Sequence, residues 1–578
     1  MEPEKQKENQ IQKQTDQKNQ KEQKQKEQKQ KTPENPENPE STETTETIKT
    51  AKTAKSTKKD EEDTSTDVST DEINKTLQRI ARGTGIIFIG TIISMGLGFI
   101  TTPLIARYLT VSQYGIYSLT LTVLSFGTTL ASLGLFAALP REIPHYKEKY
   151  PNKLPDLIST AFYISLISGI FFTILLLLSK DFLARFFNET EFSLPFTIMI
   201  LSLPFMILIS FLSAITQGLG RVRENVYFGR IARAIIFLIG VLIIVILRLN
   251  FYLIYVMYVL GAVITLIIFF IDIKRIRIFE VRLRFNKKVA RNLLKFSIPL
   301  FFTGILGYLI TWMDTLMLGY FKPSSVVGLY NAAAPLVRLL PIFLSSFAFL
   351  YNPLATGLFV RNKIKELKRV YQVITKWVFL LTLPLFAIFF VFPEATITFI
   401  FGEKYISAAP ALQILSLGFM FHTFLGLNGI SLVVIGKPEL NLYGNTLAVI
   451  LNFILNIALI PKYGITGAAT ATTSAYIITN IFRTSYLYKE TKIHPFSMNY
   501  VKPLLISFVL LGAIKITNPG ITSFWLALGS LIIFLVLYLF LVLISRSIDK
   551  EDIHLFLTLE KRAGMDVRTI KRILRIFI

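Results

Sequence analysis

From Gly83 onward the chain alternates apolar runs of about 20 residues with short polar joints. A run of that length, wound as an α-helix, crosses a bilayer. The runs fall near 83–106, 116–139, 157–179, 193–216, 227–247 and 251–272. A second set covers 296–320, 328–357, 373–400, 408–435, 441–460 and 463–486, and two more lie near 501–517 and 521–545. With 52% hydrophobic residues, the chain could not hide its apolar surface in water. The expected fold is an all-α integral membrane protein of about fourteen transmembrane helices.

Lys and Arg are unevenly shared between the joints. One side collects Arg141, Lys147, Lys149 and Lys153, then Arg221, Arg223, Arg230 and Arg233, the dense run from Lys274 to Lys295, and Arg361 to Arg369. The alternate joints hold little beyond Arg107, Lys180, Arg185, Arg248, Lys322, Lys404, Lys462 and Lys515. The bias predicts a multi-pass protein of the cytoplasmic membrane with both termini in the cytoplasm. Residues 1–78 are almost devoid of apolar side chains and are expected to be a disordered tail. At the other end, "DVRTIKRILRIFI" (Asp566–Ile578) predicts a basic amphipathic helix, lying on the membrane or packed on the protein's own cytoplasmic face.

The joints repeat. "YLTVSQYGIY" (Tyr108–Tyr117) after the first run resembles "YFKPSSVVGLY" (Tyr320–Tyr330) after the seventh. "GRVRENVY" (Gly220–Tyr227) matches "GKPELNLY" (Gly436–Tyr443) at Gly, Asn and Tyr, all at an offset of 216. A repeat of six spans keeps each copy's orientation, so the halves should be related by an axis along the membrane normal with a pathway between them. The expected organisation is a tail over 1–78, a first six-helix lobe over 79–277 and a second over 278–490. A helix pair over 491–546 and a basic tail over 547–578 complete it.

The seventh run, "LFFTGILGYLITWMDTLMLGYF" (Leu300–Phe321), contains Asp314. A carboxylate at mid-membrane costs about 2.5–3.5 kcal/mol on insertion scales. Gly304, Gly307, Thr311, Asp314 and Thr315 share one small, polar helix face. Arg338 falls in the eighth run, with Asn331 one or two turns before it. This pattern fits a water-accessible cavity in which Asp314 carries a coupling ion; it also fits an Asp314–Arg338 pair that only locks two helices. The stripe Asn441, Asn445, Asn452 and Asn456 on the eleventh run is expected to make interhelical hydrogen bonds.

Chemistry that needs other residues is excluded or unsupported. Cysteine is absent, and the four histidines form no HxxH or HExxH motif. No metal site and no cofactor are therefore expected. There is no GxxxxGK[ST] loop, so the chain has no ATPase of its own. It lacks the large loop and acidic metal ligands of a membrane glycosyltransferase, and it is not expected to be an enzyme.

Three segments carry a family resemblance. They are "GLGFITTPLIARYLTVSQYGIYSLTLTVLSFGTTLASLGL", "VGLYNAAAPLVRLLPIFLSSFAFLYNPLA", and the stretch from "FGEKYISAAPALQILSLGF" through "LIPKYGITGAA" (Leu459–Ala469). Over Gly83 to Lys489 the chain resembles the polysaccharide and O-antigen flippases of the MOP (MATE-like) exporter superfamily. The resemblance implies two six-helix lobes that open in turn to either side, moving a polyprenyl-(pyro)phosphate-linked oligosaccharide for glycan assembly. It also implies a cationic central cavity, for which Arg141, Arg233 and Arg338 are the candidates, with Asn331 as a further substrate-binding residue and Asp314 for ion coupling. Implied partners are the lipid-linked oligosaccharide, membrane lipids and glycan-assembly enzymes, with no nucleic acid; the expected state is a monomer. The alternative is an ion-coupled multidrug or cation antiporter of the same superfamily, which would need more acidic cavity residues than Asp314 and Glu394. Where related lipid II flippases carry an Arg-Asp pair, this chain has Thr101 and Thr102, so a neutral sugar chain, or a phosphate contact elsewhere, is expected.

Overall fold

The computed structural model describes residues 86–87, 89–276, 284–517 and 523–547, all within one compact unit. Both tails, including the expected amphipathic helix at Asp566–Ile578, lie outside the described residues. No β-strand occurs among the described residues.

The first half contains α1 (Ile89–Tyr108), α2 (Val111–Ser132), α3 (Leu135–Lys149), α4 (Leu154–Leu178), α5 (Ser193–Ile200), α6 (Leu203–Gly218), α7 (Val222–Ile246) and α8 (Leu253–Ile276). The second contains α9 (Lys287–Phe321), α10 (Ser324–Val337), α11 (Ile342–Val360), α12 (Ile364–Val391), α13 (Pro393–Phe401), α14 (Ala409–Phe424), α15 (Asn428–Val434) and α16 (Pro438–Thr491). A final pair, α17 (Met498–Thr517) and α18 (Phe524–Ile544), packs on α12.

Among the described residues twelve segments are long and apolar enough to cross a membrane, one of them (Glu403–Val434) joining α14 and α15, and the α5–α6 pair, bent by 43°, makes a thirteenth. The expected fourteen is reached only when the two arms of α16 are counted separately. At about 1.5 Å per residue, its 54 residues would reach far beyond a hydrocarbon core of about 30 Å. Gly464 breaks it with φ 56° and ψ −127°. The arms then fold back on each other: Asn452 Nδ2 donates to Thr472 Oγ1 at 2.8 Å.

Several expected spans are broken rather than continuous, the eighth and ninth among them. The run over 328–357 divides at Val337–Pro341 into α10 and α11, and the run over 373–400 divides at Phe392 into α12 and α13. Pro335, Pro341 and Pro393 stand at these breaks. Proline lacks the amide hydrogen and crowds the preceding turn, so the helix cannot run on unchanged.

The repeat is present in the backbone. Gly220 and Gly436 both have positive φ, 74° and 78°, a conformation that favours glycine. Asn225 Nδ2 donates to the Ser213 carbonyl at 2.8 Å, and Asn441, at the same offset, lies against Gly429, the counterpart of Ser213. The halves meet most closely where α2 crosses α10.

Many buried hydroxyls are hidden by bonding back along their own helices. Ser118, Thr120 and Thr122 each donate to the carbonyl four residues earlier, at 2.7–2.8 Å. Such bonds let a hydroxyl sit in an apolar interior without an orphaned proton.

Candidate functional site: the Asp314 cluster and the Arg338 cavities

Four helical segments converge on the Asp314 carboxylate. Oδ1 accepts from Asn452 Nδ2 at 3.0 Å and from Asn456 Nδ2 at 2.8 Å. Oδ2 accepts from the Tyr330 hydroxyl and the Thr472 hydroxyl, each at 2.5 Å. An ionised carboxylate offers about four lone-pair sites, and four donors fill them. The donors come from α10 and from both arms of α16, so this one side chain ties α9 to three other segments. Asn456 Nδ2 also donates to Asn452 Oδ1 at 3.1 Å, fixing the two amides relative to each other.

This arrangement belongs to the second half alone. At the repeat offset of 216, Asn452 corresponds to Ile236 and Asn456 to Gly240. Gly240 is packed under Met257, where a Cβ would overlap the thioether methyl.

Arg338 stands at the C-cap of α10, in the break of the eighth span. The carbonyl end of a helix favours a cation. Its Nη2 donates to the Thr311 carbonyl at 2.7 Å, and the guanidinium lies over the Trp312 ring at 5.1 Å from the centroid. No ion pair joins Asp314 and Arg338, both of them described residues, so the locking pair admitted by the sequence is not formed.

Two cavities of about 160 Å³ each share Arg338. One has a polar side formed by Thr311, Asp314, Tyr330, Thr472 and Tyr476, facing Ile310, Leu415 and Phe419 among other apolar residues. The other runs between α1 and α10 and is mainly apolar, lined by Met95, Phe99, Pro103, Pro335, Leu336 and Phe401 among others. The Arg338 cation therefore sits where a polar space meets an apolar crevice between the halves.

The other candidates are not gathered around Arg338. Arg141 is exposed on α3, its guanidinium 4.5 Å from the centroid of Phe296. It lies one turn beyond Ala137, which lines a separate cleft of about 320 Å³ between α2, α6 and α9. Arg233 on α7 turns Nη1 to the Met206 sulfur inside the first half. The Asn331 side chain is buried and bonds its own helix, Nδ2 to the Val327 carbonyl at 3.0 Å, while Oδ1 accepts from Thr315 at 3.3 Å.

Sequence reasoning missed Tyr330, Thr472 and Arg483. Arg483 lies inside the second half, with Nη2 bonded to Asn445 Oδ1. A signal existed: Thr479 and Asn480 stand four and three residues before Arg483 in an apolar run, on one helix face. The Asn stripe does bridge helices, through Asn452 and Asn456 to Asp314.

Comparison with known proteins accords with this geometry. Residues 80–356 match the family described as "Polysaccharide biosynthesis protein", and residues 299–458 match the MatE family. The chain is 29% identical over 413 residues to an uncharacterized membrane protein of Methanocaldococcus jannaschii, covering 68% of this chain and 81% of that one. It is 28% identical over 200 residues to a probable low-salt glycan biosynthesis flippase of Haloferax volcanii, covering 35% of this chain and 42% of that one, well under two thirds of its length. Among solved structures, the fold is similar to the lipid II flippase MurJ in an inward closed conformation, with a TM-score of 0.63, 18% identity and coverage of 79% and 98%. It is also similar to an inward-facing MATE multidrug transporter of the MOP superfamily, with a TM-score of 0.60, 14% identity and coverage of 69% and 94%. The two family matches between them run from residue 80 to residue 458, and the chain is similar there to polysaccharide flippases, which bears out the resemblance read from the sequence.

Proposed function

We propose that this protein moves a polyprenyl-(pyro)phosphate-linked oligosaccharide across the cytoplasmic membrane by alternating access, without altering it chemically. The observation that carries this reading is Arg338, a cation at the boundary between a polar cavity and an apolar crevice. A lipid-linked sugar has the same three parts in the same order: polar glycan, anionic phosphate, apolar tail. Guanidinium forks suit phosphate oxygens, and Arg338 gives one donor, Nη2, to the Thr311 carbonyl.

In this reading Arg338 takes the phosphate, Arg141 and Arg233 add positive field as the headgroup moves, and Asn331 holds the α10 backbone that presents Arg338. Asp314 carries the coupling cation, a proton or sodium ion, between Asn452, Asn456, Thr472 and Tyr330. Segments 79–277 and 278–490 are the two rocking bodies. Both termini face the cytoplasm, the protein works as a monomer, and glycan-assembly enzymes deliver its substrate.

The test is a proteoliposome flipping assay with a short fluorescent polyprenyl-pyrophosphate-linked sugar, with and without proton and sodium gradients. Movement should be lost in Arg338→Ala, and gradient dependence lost in Asp314→Asn. Wild-type protein that ignores the lipid-linked sugar but exchanges organic cations would replace this reading with the antiporter.

A further inference from the structure

The cleft of about 320 Å³ between α2, α6 and α9 has no charged residue in its lining. Part of that lining is hydroxyl: Ser125, Thr128, Thr129 and Ser132 on α2, with Ser210 on α6. All five residues are half-buried rather than sealed, so they are open to the space they line. The other walls are apolar, with Phe136, Leu300 and Phe301 among them. Mainly apolar walls with a few placed polar groups are the usual make-up of a small-molecule site.

The direction of the hydroxyl protons narrows the ligand. Thr128 and Thr129 donate to the carbonyls of Leu124 and Ser125, at 2.7 and 2.9 Å. Ser132 donates to the Thr129 carbonyl at 2.7 Å, and Ser210 to the Met206 carbonyl at 2.9 Å. With their protons spent on their own helices, these four have only lone pairs left to offer. Ser125 Oγ has no partner among the described residues. A phosphate finds no cation in this lining, and a cation finds no carboxylate. The ligand that fits brings hydroxyl donors, no charge and an apolar face for the aromatic rings. A sugar ring has all three: O–H groups around its edge and C–H groups on its faces.

The cleft is also placed within reach of Arg338. Gly304 in the cleft and Thr311, whose carbonyl holds Arg338 Nη2, share one face of α9. Seven residues separate them, or about 10 Å at 1.5 Å per residue. We infer that the cleft is a second sugar subsite, taking an uncharged sugar of the glycan beyond the one next to the phosphate. This rests on the flippase reading, in which the phosphate is at Arg338 and the first sugar in the adjoining polar cavity.

The experiment is equilibrium binding to the purified full-length protein of two polyprenyl-pyrophosphate lipids, one bearing a neutral monosaccharide and one a neutral trisaccharide. Wild type should bind the trisaccharide lipid at least fivefold more tightly. Two variants remove the subsite in different ways. Gly304→Leu fills it, and a Cβ there meets only Thr129 Cγ2, at 3.9 Å. Ser125→Ala combined with Thr129→Val removes two of its oxygens. In both, the gain from the longer glycan should fall below twofold while monosaccharide-lipid affinity stays within twofold of wild type. A hexuronate as the outer sugars should give no such gain in wild type. Equal affinity for the two neutral lipids in wild type would overturn the subsite and leave the Arg338 reading standing. So would a gain that survives the variants, or one as large with hexuronate. Should Gly304→Leu not fold, the Ser125→Ala/Thr129→Val protein decides. Wild type that binds neither lipid would sink the flippase reading, and the subsite with it.

Discussion

Gly115 and Gly328 occupy equivalent places in the two halves, and each lies against the first residue of the other's helix. A Cβ on Gly115 would overlap the carbonyl of Ser324, and a Cβ on Gly328 would overlap the carbonyl of Val111. Val111 and Ser324 open α2 and α10 respectively, so the contact is reciprocal. It brings the Ser112 and Ser324 hydroxyls to 2.7 Å. At the two glycines the helices meet backbone against backbone, with the Ser112–Ser324 hydroxyl contact beside them.

That contact gives a direct assay of closure. The chain has no cysteine, so Ser112→Cys with Ser324→Cys introduces the only pair. At this separation a disulfide should form readily under mild oxidation, and it should arrest transport reversibly. Adding Gly115→Ala or Gly328→Ala should slow cross-linking several-fold, because the added methyl cannot fit the closed face. Equal cross-linking rates would show that the two helices have slack.

The Asp314 cluster should be a source of stability as well as of coupling. Hydrogen bonds to charged groups are worth about 1.5–3 kcal/mol each, so Thr472→Val should lower the thermal midpoint measurably. Asp314→Asn should lower it further, since the amide offers one acceptor atom where the carboxylate offers two, and the charge that strengthens all four bonds is gone. Thermal unfolding in detergent checks both, and an unchanged midpoint in Asp314→Asn would mean the four bonds are not made.

Replacing the Arg338 fork by an ammonium separates charge from geometry. Arg338→Lys should retain transport but raise the KM for lipid-linked sugar about tenfold, equivalent to about 1.4 kcal/mol. Arg338→Ala should abolish it. If the two variants behave alike, charge alone is not what Arg338 supplies.

One titration falls in a joint rather than a span. Burial, and next the Lys368 ammonium, hold the His494 imidazole below its ordinary value of 6.5, against a smaller opposing effect of the Phe496 backbone. The unfolded chain therefore binds more protons over this window. Stability should be level above about pH 6.5 and fall as pH drops through that value towards the lowered folded one. His494→Gln should flatten this slope in thermal midpoints measured between about pH 5 and 8. A slope that survives the substitution would assign it to another group.

Much of this architecture was legible because membrane helices announce themselves by length, and the repeat by glycines whose backbone needs no side chain. The Gly220 and Gly436 match survives in the structure as two positive-φ turns. The polar face of the seventh span was legible too, but not what it meets: Asn452, Asn456 and Thr472 stand 138 to 158 residues away, and no local period encodes that. Arg107 reads from sequence as an orienting charge at a helix end. In space its guanidinium bonds the carbonyls of Phe399 and Ile400 at the end of α13, across the divide between halves. The breaks in the eighth and ninth spans were written in Pro335, Pro341 and Pro393, yet the unbroken hydrophobicity of those runs masked them.

The confinement of the Asp314 cluster to one half has a mechanical consequence. The two repeats are fastened differently: one is riveted internally by a carboxylate that ties α9 to three other segments, while its counterpart has only Ile236 and Gly240 at the equivalent stations. Any cation that competes for that carboxylate must loosen or re-tension a single body. In the proposed transport cycle the stroke is then driven from one side, with the glycine crossing of α2 and α10 as its fulcrum.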